Sequence, residues 1–80
     1  MTYTVYVLFS ENYKKHYTGY TADLEQRLLS HNELGNEWTK SYRPWKIIYT
    51  KEFSYKKEAI KYEKWMKTEA GREFIKTLPH

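Results

Sequence analysis

Residues 2–9, Thr-Tyr-Thr-Val-Tyr-Val-Leu-Phe, constrain the fold of this chain more than any other stretch. β-Branched and aromatic side chains dominate the run, which is the composition of a strand. Alternation puts Tyr6 and Leu8 on one face and Val5, Val7 and Phe9 on the other. Ser10 to Lys15 is largely polar and holds Asn12, which suits a hairpin loop. His16 to Tyr20 then reads as a second strand. Two strands joined by so short a loop pair antiparallel.

The rest of the chain reads as helix, strand, helix. Thr21 is a good N-cap, and Asp23 places negative charge in the first helical turn. The helix is expected to run to about Asn32, with Leu24, Leu28 and His31 on one stripe and Arg27 one turn before His31. Residues 33–44 form a loop that holds Trp38, Lys40, Tyr42 and Arg43, and a loop this long in so small a chain is more often functional than not. Trp45 to Phe53 is expected as a third strand, with Trp45, Ile47, Tyr49 and Phe53 on one face. Ser54 is expected to cap a second helix reaching about Thr68, with an apolar stripe of Tyr55, Ala59, Tyr62 and Met66. Gly71 is expected to interrupt, and Arg72 to Thr77 to form a last short helix. The order is β-β-α-β-α with a further α, an α+β class in which helices flank a small three-stranded antiparallel sheet.

Eighty residues suit a single domain, 1–80, and the chain has no cysteine. Disulfides and thiolate zinc sites are therefore excluded. A chain of this length buries only ~60% of its unfolded surface, so its core must be efficient. Nine Tyr, three Trp and three Phe supply the bulk of that core. Fourteen basic and ten acidic residues give a formal charge of +4, a mild bias toward an anionic partner such as nucleic acid. A solvated, Lys-rich surface explains the same charge equally well. No apolar run approaches the ~20 residues of a membrane span, and the N-terminus lacks a signal-peptide pattern. A soluble, cytoplasmic monomer with no membrane contact is the expectation.

Glu63 stands out because it lies at the edge of an otherwise apolar helix stripe. A carboxylate there needs a compensating cation or hydrogen bonds. That cation is either a Lys or Arg side chain or a Mg²⁺ ion, which commonly takes one or two carboxylates and keeps several waters. Arg27 either snorkels or holds a phosphate oxygen in its planar fork. His31 is a hydrogen-bonded core residue, a second phosphate contact or a proton shuttle. Tyr6 and Tyr17 are strand aromatics that pack, or phenols that handle a proton. An unperturbed phenol is a poor base at neutral pH, with pKa ~10, and a nearby cation would favour the phenolate. Gly19 is an ordinary strand glycine or leaves room for a close approach of backbone. Lys56, Lys57, Lys61 and Lys64 are a solvated helix face or track a phosphate backbone. Trp38, Tyr42 and Arg43 pin the loop or stack on unpaired bases.

Taken jointly, these residues resemble the GIY-YIG nuclease family, and most closely its short stand-alone members of UPF0213 type. Thr4-Val5-Tyr6 stands at the first signature triplet and Tyr17-Thr18-Gly19 at the second. Thr21-Ala22-Asp23-Leu24 leads to Arg27 and His31-Asn32 as in the family's first helix. Trp38-Thr39 and Arg43-Pro44-Trp45 match the connecting loop of the short members, and Glu58-Ala59 and Glu63 match the second helix. The resemblance implies the GIY-YIG endonuclease fold and cleavage of DNA phosphodiesters with Mg²⁺ or Mn²⁺. It implies Glu63 as the metal ligand, Arg27 on the phosphate with His31 in support, and Tyr6 or Tyr17, with a slight preference for Tyr6, as activator of the attacking water. Gly19, Tyr20, Lys40 and Arg43 are the expected nucleic-acid contacts, with DNA the expected partner and RNA the alternative. The chain departs from the family at Thr4 for glycine, Thr18 for isoleucine, Tyr20 where some members place lysine, and in having no Asn after Glu63. The resulting expectation is a DNA endonuclease, selective for branched or damaged DNA if it is selective at all. A nucleic-acid-binding module with little catalysis is the alternative, and an interaction domain with no nucleic-acid role is the third.

Overall fold

The computed structural model describes residues 2–29 and 41–79. They form β1 (Tyr3–Ser10), β2 (Lys15–Thr21), α1 (Leu24–Leu29), β3 (Lys46–Phe53), α2 (Lys56–Met66) and α3 (Glu69–Lys76). The expected α+β class and element order hold. The sheet has strand order β2-β1-β3 with both pairings antiparallel. Because β1 is central, every residue from Val5 to Ser10 is buried.

Two apolar clusters lie on opposite faces of this strand. Tyr6, Leu8 and Trp45 form one, with Tyr17, Leu24, Leu28 and Tyr42 packed against it. Val7, Met66 and Ile75 form the other, with Tyr49, Tyr62 and Phe74 among its neighbours. The first cluster is covered by α1 and the second by α2 and α3. Rings dominate the first, and Tyr49 and Tyr62 join their hydroxyls at 2.9 Å in the second.

Several local expectations are corrected. Thr21 does not cap α1 but closes β2 opposite Thr4. Its hydroxyl accepts from the Asp23 N–H at 3.1 Å and donates to the Asp23 carbonyl at 3.2 Å, which fixes the strand-to-helix turn. Asp23 is the cap: its Oδ1 accepts from the Gln26 N–H at 3.1 Å. In the β1–β2 loop the residue with positive φ is Lys14, at 55°.

Trp45 and Tyr49 do not share a face. A register shift against Val7 and Leu8 sets Val7 opposite Tyr49 but Leu8 opposite Ile47, so Ile48 is an extra residue. Such a bulge breaks the two-residue alternation. Trp45 therefore packs with Tyr6, Tyr49 packs with Val7, and Ile47 is exposed.

Ser54 does not cap α2. Tyr55 is at that position, makes no side-chain cap and is exposed, outside the apolar stripe. Gly71 does not interrupt a helix but lies inside the first turn of α3, where its N–H donates to the Thr68 hydroxyl at 3.3 Å. A Cβ at Gly71 would collide with the Trp65 carbonyl and the Met66 backbone, so the tight corner between α2 and α3 requires glycine. The expected end of α1 at Asn32 and the loop through residue 40 lie outside the described residues.

Candidate active site

A cleft of about 730 Å³ runs along the outer strand β2 between α1 and α2. Strand β1 contributes Tyr3 and Tyr6, and β2 contributes Tyr17 to Thr21. The α1 cap and first turns contribute Asp23, Gln26 and Arg27, and α2 contributes Lys56 and Glu63, followed by Lys67. Tyr6, Tyr17, Gly19, Tyr20, Arg27 and Glu63 are thus brought to one cleft. Arg43 is half-buried in the segment before β3, follows Tyr42 and precedes a cis Pro44, and does not line the cleft. His31 and Lys40 lie outside the described residues.

The tyrosine pair is held by the hairpin. Tyr6 pairs with Gly19 and Leu8 with Tyr17 across the two strands. The Tyr6 and Tyr17 rings stack with centroids 6.4 Å apart and planes at 28°. A Cβ at Gly19 would lie 2.7 Å from Tyr6 Oη and 3.3 Å from Tyr17 Cε1. Glycine at 19 therefore admits the phenol of Tyr6, which resolves the two readings of this residue in favour of a close approach within the protein.

Electrostatics separate the members of the site. Tyr6 is 2% exposed. Burial, and then the neighbouring Tyr17, push its phenol well above the ordinary tyrosine value; Arg27 pulls it down, and Glu63 pushes it further up. Glu63 is 15% exposed and pairs with Lys67, whose Nζ lies 2.9 Å from Oε1. A cation does compensate the carboxylate, and in the free chain it is a lysine.

Of the lysines that the sequence offers as a phosphate track, Lys56 lines the cleft, and Lys67, Gln26 and Tyr3 join it without having been read as site residues. Lys56 and Lys67 had a readable signal, because they lie seven residues before and four after Glu63 and so share its helix stripe. Among the described residues no three His, Cys, Asp or Glu side chains cluster. The cleft offers the Glu63 carboxylate, while the Asp23 Oδ1 is engaged in capping. One carboxylate completed by waters and phosphate oxygens is a donor set that suits Mg²⁺ or Mn²⁺.

The family model described as the GIY-YIG catalytic domain matches residues 2–76. A UPF0213 protein of Staphylococcus saprophyticus is 38% identical over 63 residues, which is 78% of this chain and 77% of that protein. A UPF0213 protein of Lactococcus lactis is 38% identical over 72 residues, 89% of this chain and 68% of the relative. The solution NMR structure of a UPF0213 protein from Bacillus halodurans superimposes with a TM-score of 0.57 at 29% identity, covering 94% of this chain and 82% of the other. The chain belongs to the GIY-YIG family of nucleases, and within it to the UPF0213 type.

Proposed function

We propose that this chain is a divalent-metal-dependent endonuclease that hydrolyses DNA phosphodiesters, with a branched or damaged duplex as its preferred form. The observation that carries the reading is that Tyr6, Tyr17, Arg27 and Glu63 line one cleft. It is supported by the general use of divalent metals and nucleic-acid substrates in the family. In this reading Arg27 offers its planar donors to the scissile phosphate. Tyr6, kept protonated by burial, donates a hydrogen bond that orients the attacking water, and Tyr17, half-exposed and opening onto the cleft, takes the water's proton after releasing its own to solvent. That division reverses the slight sequence-based preference for Tyr6 as acceptor. Glu63 would hold the cation, which when bound acts as a Lewis acid toward the phosphate and the leaving oxygen. Recognition through this cleft rests on phosphate contacts and DNA shape.

The test is a cleavage panel of single-stranded, duplex and branched DNA with Mg²⁺ and with Mn²⁺. Nicking is expected with wild type and absent with Glu63→Ala. Folded protein that cuts no substrate with either metal would overturn the reading. The ion pair between Glu63 and Lys67 favours a second reading, a DNA-binding module in which the carboxylate is already neutralised. That reading predicts salt-sensitive binding that Glu63→Ala does not abolish, with no turnover.

A further inference from the structure

Lys67 has two environments within reach. Its ammonium lies 2.9 Å from Glu63 Oε1, yet its side chain is 57% exposed while that of Glu63 is 15% exposed. Lys67 also lines a second hollow of about 260 Å³ that abuts the cleft, sharing Tyr17 and Thr18 with it. His16 and Arg72 line that hollow, and among the described residues no carboxylate does. One end of the range of Lys67 is therefore a half-buried anion, and the other is a cationic shelf beside the proposed substrate path.

From this placement we propose that Lys67 is the internal counter-ion of Glu63 in the free protein and a phosphate ligand in the loaded one. A divalent cation at Glu63 competes with the ammonium for the same carboxylate. The displaced ammonium cannot stay beside the incoming cation, because like charges repel at that distance. It swings toward the His16–Arg72 hollow, where a phosphodiester oxygen of the bound strand takes it. Cation and nucleic acid then assist each other's binding: each removes Lys67 from the partner the other needs, and such a coupling is reciprocal. The contact occurs one turn after the carboxylate on the same helix, so the exchange needs only side-chain rotation.

The inference rests on the endonuclease reading for the cation, but its nucleic-acid half is tested without metal. The first measurement titrates Mn²⁺ into the full chain by calorimetry with no DNA present. Lys67→Met, which keeps the apolar stem, is expected to bind Mn²⁺ more tightly by roughly twofold to fivefold, the range a half-exposed ion pair supports. Glu63→Gln is expected to lose the binding. The second measurement titrates a duplex oligonucleotide into metal-free protein. Glu63→Gln frees Lys67 and is expected to tighten DNA binding by a similar factor, Lys67→Met to weaken it because Glu63 then keeps an unpaired charge, and the double variant to return to the wild-type level.

Unchanged or weaker Mn²⁺ binding in Lys67→Met overturns the counter-ion role. A double variant that keeps the full gain of Glu63→Gln overturns the phosphate role, since the gain then comes from the lost negative charge alone. Mn²⁺ binding that survives Glu63→Gln, or that is missing from wild type, sinks the metal assignment, while the metal-free cycle still decides the fate of Lys67. A chain that binds no DNA in any form ends both proposals.

Discussion

The phenol of Tyr6 lies over the backbone of Gly19, its partner across the hairpin, so closely that a Cβ there would stand 2.7 Å from Oη and 3.0 Å from Cζ. The second triplet thus needs its glycine to seat the tyrosine of the first. Gly19→Ala is expected to destabilise the fold by about 1–3 kcal/mol, the usual cost of overpacking a filled site, and to displace the Tyr6 ring from the cleft. Tyr6→Phe removes the nearer atom, so the double variant is expected to recover part of that loss. Denaturant unfolding of the four proteins measures the coupling, and strict additivity would show that the two residues do not press on one another.

The two tyrosines are expected to differ in role, because burial keeps the Tyr6 phenol protonated while Tyr17 opens onto the cleft. Tyr17→Phe should lower the cleavage rate about 10²–10⁴-fold, the range of a lost general base. Tyr6→Phe should cost less, because it removes a hydrogen-bond donor, and it should leave the shape of the pH–rate profile below neutrality unchanged. Single-turnover rates against pH for both variants check this, and equal losses with equal changes of profile would reject the division of roles.

Arg27 depends on a cap four residues earlier. Asp23 holds the Gln26 N–H, and the Asp23 carbonyl accepts from the Arg27 N–H at 3.1 Å. The described part of α1 is only six residues long, so this anchor matters more than it would in a long helix. Asp23→Ala is expected to cost about 1 kcal/mol of stability. It should also weaken DNA binding, although Asp23 itself carries a charge that repels phosphate. Asp23→Asn keeps the cap and should keep stability. Thermal unfolding and a DNA titration of both variants separate the cap from the charge.

Much of this site was legible in the sequence because its parts repeat on local periods. The alternation of Thr4 to Phe9 placed Tyr6 opposite Val7, and the helix period placed Glu63 at the edge of its stripe. What escaped was set by partners distant in sequence. The bulge opposite Val7 and Leu8 exists only in the pairing of β1 with β3, so nothing local to residues 45–53 marks Ile48 as the extra residue. Gly71 reads as a breaker because its requirement, the Trp65 carbonyl beside it, is a tertiary contact. Tyr55 has the right spacing for the stripe of α2 but is placed before the first turn. Thr21 and Asp23 are both good caps by residue type, and the extent of β2 decides between them.

Alkaline pH should expose the buried phenols. Tyr62 is pushed up to about 12 by burial and then by its hydrogen bond with Tyr49, and Tyr6 is raised as well. A phenol whose folded value lies above its unfolded value favours the native state only while it keeps its proton. That stabilisation is complete below the ordinary value of about 10, and it is lost as pH rises from there through about 12. The unfolding free energy is therefore expected to fall over that interval. Tyr62→Phe should make the fall shallower, although it also removes the Tyr49 contact and lowers stability at neutral pH. Denaturant midpoints against pH, with tyrosinate absorbance as the second probe, test the slope. A midpoint that rises in this interval would contradict the sign.

The corner at Gly71 offers a way to separate fold from site. Gly71 is buried against the last turn of α2, and Thr68 caps α3 by accepting the Gly71 N–H with its hydroxyl. Ile75 and Phe74, which close the second cluster, reach it only if α3 leaves α2 at this tight angle. Gly71→Ala forces its methyl against backbone, which has no rotamer by which to yield. The expected cost exceeds the ~1 kcal/mol by which alanine would otherwise favour a helix interior, and it reaches roughly 1–3 kcal/mol or more of net destabilisation. The cleft residues lie on other elements, with Lys67 nearest at the end of α2. At low temperature, where the variant stays folded, its DNA affinity without metal, with Lys67 still on Glu63, should match wild type while its thermal midpoint drops. Native-state hydrogen exchange should find the loss concentrated in α3. A Gly71→Ala protein as stable as wild type would show that the corner relaxes, and that the glycine is not what sets the angle between α2 and α3.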